Sequence, residues 1–408
     1  MKLRATAIAL LCLAGSWYYA LSIAARGGFA MKPGIINDYY PLWNASRCIL
    51  HRIDPYSPEV TEQNDIAANG VTAKVLGTPI RQRFAYPAYA TFPVLPLGLF
   101  DSGTAKQVAL WLFAALVALS VGWLRAKWDG RTVLYTILAL ASYPVIIALQ
   151  MRQPTILFFG LAVGSFALFR SGYLIPAGIV AAFAVGKPQI AAVLLLPMLI
   201  STVARWQNRK AFVTAFAFSL LALLLLASFV APGWFPEWLE ALRGYSQSAR
   251  PSAIAFMFGH KVSVVISVGL LLGLATLLWR HRKRDLLFQA AISAPVFYLI
   301  TPFVDYNAIL LLVPAVWIAD NCHSIQEGGT ANQLALAAVR VAFIGLWLAA
   351  PLGALLLHMG PLANRMAWGL PELLVSPLLC CITVLMVTQS LSASPGARQP
   401  ATVEIPPL

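Results

Sequence analysis

Charged side chains are scarce in this sequence of 408 residues: 29 Lys and Arg with 15 Asp and Glu make up 11% of it, against about 25% in a soluble domain. That shortage excludes a water-soluble enzyme and a disordered chain, which both need a solvated polar surface. Cysteines are few as well. Cys12, Cys48, Cys322, Cys380 and Cys381 lie mostly in or beside apolar runs, without metal-ligand spacing, and an adjacent pair does not make a disulfide scaffold. Internal repeats, low-complexity tracts and a soluble domain are also missing. What abounds is apolar residues, 60% of the chain with a mean hydropathy of +0.75. The composition is that of an all-α polytopic membrane protein.

A helix needs about 20 residues to cross the hydrocarbon core. On that measure the apolar runs predict about 12 transmembrane helices, at 5–25, 104–124, 132–149, 155–169, 174–185, 189–204, 211–230, 262–279, 286–301, 307–320, 334–357 and 369–390. The first resembles a signal peptide in its flanks, with small residues at Ser22 and Ala24, but reads as an uncleaved first helix. Residues 1–391 then form a single integral membrane domain. A long first outer loop spans 26–103, and a disordered cytoplasmic tail spans 392–408. Two segments of that loop predict helices lying in the outer interface: 38–50, and the bent, proline-containing 86–100, with Tyr86, Tyr89 and Phe92 suited to the headgroup region.

The formal charge of +14 has a topological explanation. With both termini in the cytoplasm, 15 basic residues fall on the inner side and only six at the short outer turns, with eight more in the long loop. That asymmetry follows the positive-inside rule, to which long loops conform poorly. The excess therefore does not call for a nucleic-acid partner.

No acidic residue falls in the middle of a predicted span. The unusual polar residues gather at the outer ends: Asn37 and Asp38 after the first helix, Arg152 and Gln153 in one tight turn, and Lys187 in another. His260 and Lys261 precede the eighth span, and Asp305, Tyr306 and Asn307 lie between the ninth and tenth. In a helical bundle these turns can line one cavity beneath the long loop. Each also has a structural explanation. Asp38 suits a helix N-cap, Asp54-Pro55-Tyr56 suits a turn, and Arg152 and Lys187 suit snorkelling to headgroups. Tyr39, Tyr40 and Trp43 can stack on a sugar or anchor at the interface. The sequence has no metal cluster, and Asp38 with Asp305 would offer a divalent cation too few oxygens.

Asn37-Asp38-Tyr39-Tyr40, Ala45-Ser46 and Ile53-Asp54-Pro55-Tyr56 resemble the first outer loop of glycosyltransferase family 87. The resemblance continues through Tyr86-Pro87, Pro93 to Pro96, Arg152-Gln153-Pro154-Thr155, Gly178 through Lys187-Pro188, Thr301-Pro302 and Asp305-Tyr306. The motifs are short, and their order and spacing carry the weight. Two departures stand out: Arg152 replaces the usual Gly before Gln153, and Asp305-Tyr306 stands where many members carry His-Tyr.

The resemblance implies a C-type glycosyltransferase fold and a hexosyltransferase that uses a polyprenyl-phosphate sugar. The donor is of the polyprenyl-phosphate-mannose type, the acceptor a lipid or glycan hydroxyl, and no cofactor is needed. It further implies a multi-pass protein of the bacterial inner membrane, active in building the cell envelope from its outer side. Asp38 would be the general base, and Arg152, Gln153 and Lys187 would hold the donor phosphate. Tyr39, Tyr40, Trp43, His260, Asp305 and Tyr306 would be available to the substrates. A transporter or flippase of lipid-linked sugars or small solutes is the other class. The absence of repeats and of midplane ionisable groups argues against it.

Overall fold

The computed structural model describes residues 38–71, 82–248, 251–302, 305–357 and scattered positions between 382 and 389. The predicted first span, Asn37, almost all of 369–390 and the tail 392–408 lie outside the described residues.

Local chemistry sets many of the helix ends. Helix α1 is Tyr40–Leu50. Helix α2, Pro58–Asn69, starts where the Ser57 hydroxyl accepts from the Val60 amide and ends at Gly70, whose φ of 74° suits a residue without Cβ. Between Ala88 and Leu99 the chain forms a 3-10 helix. Pro93 and Pro96 lie inside it, and residues that lack an N–H cannot sustain an α-helical ladder. This helix packs on α1 so closely that a Cβ at Gly98 would come within 3.0 Å of the Arg47 amide nitrogen. Both segments expected at the interface are helical. Tyr39, Trp43 and Tyr89 are buried in protein.

Helix α3, Ser102–Arg125, is capped by the Asp101 carboxylate, and α4, Gly130–Ala141, by a reciprocal Asp129–Thr132 capping box. Helix α5 is Tyr143–Gln150. The run 132–149 reads as one span in sequence, but the chain bends by 64° between α4 and α5. Pro144 accounts for the break: it has no N–H to donate and its ring clashes with the carbonyl four residues back, so the chain is extended at Ser142. Then follow α6 (Pro154–Arg170), α7 (Leu174–Ala184), α8 (Pro188–Ala204) and α9 (Trp206–Val230). After them come α10 (Trp234–Ser248), the short α11 (Ala253–Phe258), α12 (His260–Arg280) and α13 (Leu286–Ile300). A 3-10 helix, Asp305–Leu311, leads into α14 (Leu312–Glu327), and α15 is Thr330–Leu357. Among the described residues no strand forms; one isolated bridge joins Ser252 and Pro302.

Four helical segments are long and apolar enough to cross a membrane: α3, α9, α12 and Tyr306–Glu327. The bent pair α4–α5 makes a fifth. The shorter apolar helices α6, α7, α8 and α13 supply much of the core. Helices α7 and α9 meet backbone to backbone at Gly178, the small-residue contact by which apolar helices associate where a hydrophobic driving force is missing. At the opposite end of α3 from Asp101, the almost fully buried Arg125 joins three helices. Its Nε donates to Asp320 of α14 at 3.1 Å and its Nη1 to Asp129, before α4, at 2.5 Å.

Candidate active site

Two tight turns build the site from below. In the first, the Gln153 amide closes back on the Ala148 carbonyl at 2.8 Å, and this hairpin from α5 into α6 places Arg152 at a φ of 46°. Only Gly adopts that conformation without cost. Gln153 stands at the N-cap position of α6 but makes no side-chain cap bond. Its Nε2 instead donates to the Asp38 carboxylate, across 115 residues of chain. Gln153 is fully buried, and its Oε1 has no partner among the described residues.

The second turn joins α7 to α8. Gly186 lies against the Phe158 ring, with no room for a Cβ, and this brings Lys187 in beside the start of α6. The buried Lys187 ammonium donates to the Thr155 hydroxyl and lies 5.2 Å from the centre of the Tyr306 ring.

Asp38 is not a helix cap. Helix α1 has Tyr39 at its N-cap position and no side-chain cap bond, so the carboxylate is available to Gln153. Burial raises the Asp38 pKa above the usual carboxylate value, and the charge of Lys187 and the Gln153 hydrogen bond oppose that rise. Burial also brings the Lys187 ammonium down to about 8, with the Asp38 charge pulling the other way. Three tyrosines feel the same carboxylate: Tyr86, Tyr245 of α10 and Tyr306. Tyr245 and Tyr306 are hydrogen-bonded to each other, and the Tyr86 ring stacks on Phe158 at 6.1 Å. A carboxylate, a cation and the hydroxyls of Tyr86 and Tyr306 thus share one place, with the half-exposed Tyr245 at its edge.

The other expected residues are distributed unequally. Arg152 is half-buried: its Nη1 donates to the Gln150 carbonyl at 2.6 Å, and its buried Nε has no partner among the described residues. Lys106 of α3 is near enough to Arg152 for the two charges to act on each other. Trp43 donates from Nε1 to the Leu97 carbonyl at 3.1 Å and packs on Tyr40. Tyr39 is buried edge-on to Phe113. Asp305 opens a 3-10 helix. His260 is exposed at the first residue of α12, where its carbonyl accepts from Ser263. Among the described residues no three His, Cys, Asp or Glu side chains converge in a way that could hold a metal ion.

Three residues of this site escape a reading of sequence. Thr155 sits within the Arg152-Gln153-Pro154-Thr155 turn, so its hydroxyl could have been noticed. Tyr86 has the sequence character of an interface aromatic. Nothing local distinguishes Tyr245.

The family description of glycosyltransferase family 87 matches residues 84–302, just over half of the chain. The match includes Tyr86, Gln153, Thr155, Lys187 and Tyr245, and leaves Asp38 and Tyr306 outside its ends. No curated protein matches the chain.

Proposed function

Since the chain belongs to glycosyltransferase family 87, we propose that this membrane glycosyltransferase moves a hexose or pentose from a polyprenyl-phosphate sugar, of the mannose-donor type, to a lipid or glycan hydroxyl. The observation that carries the reading is the junction of Asp38 with Gln153, beside a buried Lys187. The acceptor hydroxyl must lose a proton as it attacks the anomeric carbon, and Asp38 takes it as general base. Burial makes that carboxylate a stronger base than a solvated one, while Gln153 and Lys187 oppose the rise in its pKa. The bond to the donor phosphate breaks as the new glycosidic bond forms. The departing phosphate diester carries negative charge, which a preformed cation stabilises best in a water-poor site. Lys187 fills that role, with Arg152 and Lys106 as cations further along the path. One displacement inverts the anomeric centre, so no glycosyl-enzyme intermediate is needed.

The topology belongs to the same proposal: 12 spans, cytoplasmic termini, and the site on the outer side of a bacterial inner membrane. The scarcity of cations at the short outer turns supports it. The outer side has no nucleotide-sugar pool, which calls for a lipid-linked donor.

The test uses the full chain in proteoliposomes supplied with a polyprenyl-phosphate sugar and a crude lipid or glycan acceptor. Asp38→Asn is expected to lower transfer by roughly 100-fold or more, with the melting temperature retained. Undiminished transfer overturns the role of Asp38.

A further inference from the structure

A polar cavity lies near this site. It encloses about 220 Å³ and is lined by Asp54, Tyr56, Thr61, Arg83, Phe84 and Glu237, among others. That is below the roughly 300–1,000 Å³ of a pocket for a drug-sized ligand, and suits a group the size of one sugar ring. Its chemistry is mixed. Tyr56 and Phe84 form an aromatic wall, with ring centres 5.3 Å apart. Arg83 is tied to Glu240 at 2.9 Å. The Asp54 Oδ1 accepts from the Tyr56 amide at 2.9 Å, closing an Asx turn.

Glu237 is the exception among these paired groups. Its Oε2 is shielded from solvent and has no hydrogen-bond partner among the described residues. A shielded carboxylate oxygen without a donor is costly, and a ligand hydroxyl would remove that cost.

The cavity and the Asp38 site share a thin partition, the stretch Phe84-Ala85-Tyr86. Phe84 lines the cavity, while Tyr86 feels the Asp38 charge. Two hydrogen bonds hold the partition: Tyr56 donates to the Tyr86 carbonyl at 2.7 Å, and Trp238 to the Ala85 carbonyl at 3.2 Å. The cavity is therefore separated from the Asp38 site by one stretch of backbone.

We propose that this cavity is an acceptor-side subsite that takes an uncharged, hydroxyl-rich ring of a glycan acceptor other than the ring that reacts at Asp38, an inference that rests on the glycosyl-transfer reading above. Carboxylates accept hydroxyl hydrogen bonds in pairs, and an aromatic wall packs against the C–H face of a ring. A phosphate is disfavoured, because Asp54, Glu237 and Glu240 outnumber the one Arg, which is already paired.

Saturation-transfer NMR on the full chain in nanodiscs tests this, with methyl α-D-mannopyranoside, methyl α-D-glucopyranoside and mannose 1-phosphate as probes. Parent and Asp38→Asn are expected to saturate the ring protons of at least one methyl glycoside equally. Glu237→Ala and the cavity-filling Ala241→Leu are expected to reduce that signal at least fivefold. Thr61→Ile fills the same space from another wall and replaces either variant if it does not fold. Mannose 1-phosphate is expected to give the weaker signal. No saturation of either glycoside by the parent, an unchanged signal in the folded variants, or a stronger signal from the phosphate overturns the proposal. The readout needs no turnover, so an Asp38→Asn protein that binds but does not transfer separates this inference from the catalytic one.

Discussion

The Gln153 side chain donates a hydrogen bond from Nε2 to the Asp38 carboxylate, joining the start of α6 to the residue two before α1. That bond is one of two influences that hold the Asp38 pKa down against burial; the other is Lys187. Removing it should make the carboxylate harder to ionise.

In Gln153→Met the side chain keeps its approximate shape and loses its donor. Asp38 must be deprotonated to act as base, so transfer falls as pH drops through its pKa. A higher pKa moves that acid limb to higher pH. The measurement is kcat/KM for transfer against pH, in the parent and in Gln153→Met. An acid limb at the same pH in both would show that Asp38 is not the titrating group.

Lys187 supplies the other limb. Its ammonium titrates at about 8, so the cation is present below that pH and is lost above it. Transfer should therefore decline through about pH 8. Lys187→Arg should remove this decline, because a guanidinium stays protonated throughout the range. Lys187→Met should cost about 100-fold at neutral pH, the size of losing one preorganised donor to a developing anion. An alkaline limb that persists in Lys187→Arg would contradict the assignment.

Arg152 occupies a left-handed position where a Gly would fit without strain. Arg152→Gly should raise stability by about 1 kcal/mol, because a side chain in that region costs roughly 1–2 kcal/mol. It should also raise the KM for the lipid-linked donor roughly tenfold, the worth of one charge-assisted hydrogen bond. Thermal melting and donor titration together decide the matter. A more stable variant with an unchanged KM would remove Arg152 from the phosphate path.

Two glycines in apolar helices should respond oppositely to the same substitution. A Cβ at Gly178 would lie 2.5 Å from the Phe212 carbonyl oxygen and 2.7 Å from the Phe216 amide nitrogen, both backbone atoms of α9. Gly178→Ala should destabilise by about 1–3 kcal/mol through overpacking. A Cβ at Gly269 of α12 meets nothing within 4 Å. There Ala should stabilise by about 0.5–1 kcal/mol, through its better helix propensity. Melting temperatures in one detergent compare the two; a Gly178→Ala protein as stable as the parent would mean that α7 and α9 can separate at no cost.

The sequence by itself determined the features that depend on near neighbours and on composition. Too few charges and long apolar runs dictate helices, because an apolar solvent forces each segment to satisfy its own backbone hydrogen bonds. Asp101, Asp129 and Asp285 cap the starts of the helices that follow them, and prolines decide where the 3-10 segment forms and where α4 and α5 part. Asp38, Gln153 and Lys187 stood out as polar residues at helix ends, yet Asp38 also suited a cap and Lys187 a snorkelling cation. Only the tertiary structure decided between these uses, because that choice depends on which groups lose water together. Chain closure over 115 residues sets Gln153 against Asp38, and the bend at Pro144 leads into the turn that presents Gln153. Tyr245 and Tyr86 come within reach of the Asp38 charge for reasons that no local pattern carries. Burial is a property of the assembled bundle, and it raises the pKa of Asp38 and lowers that of Lys187.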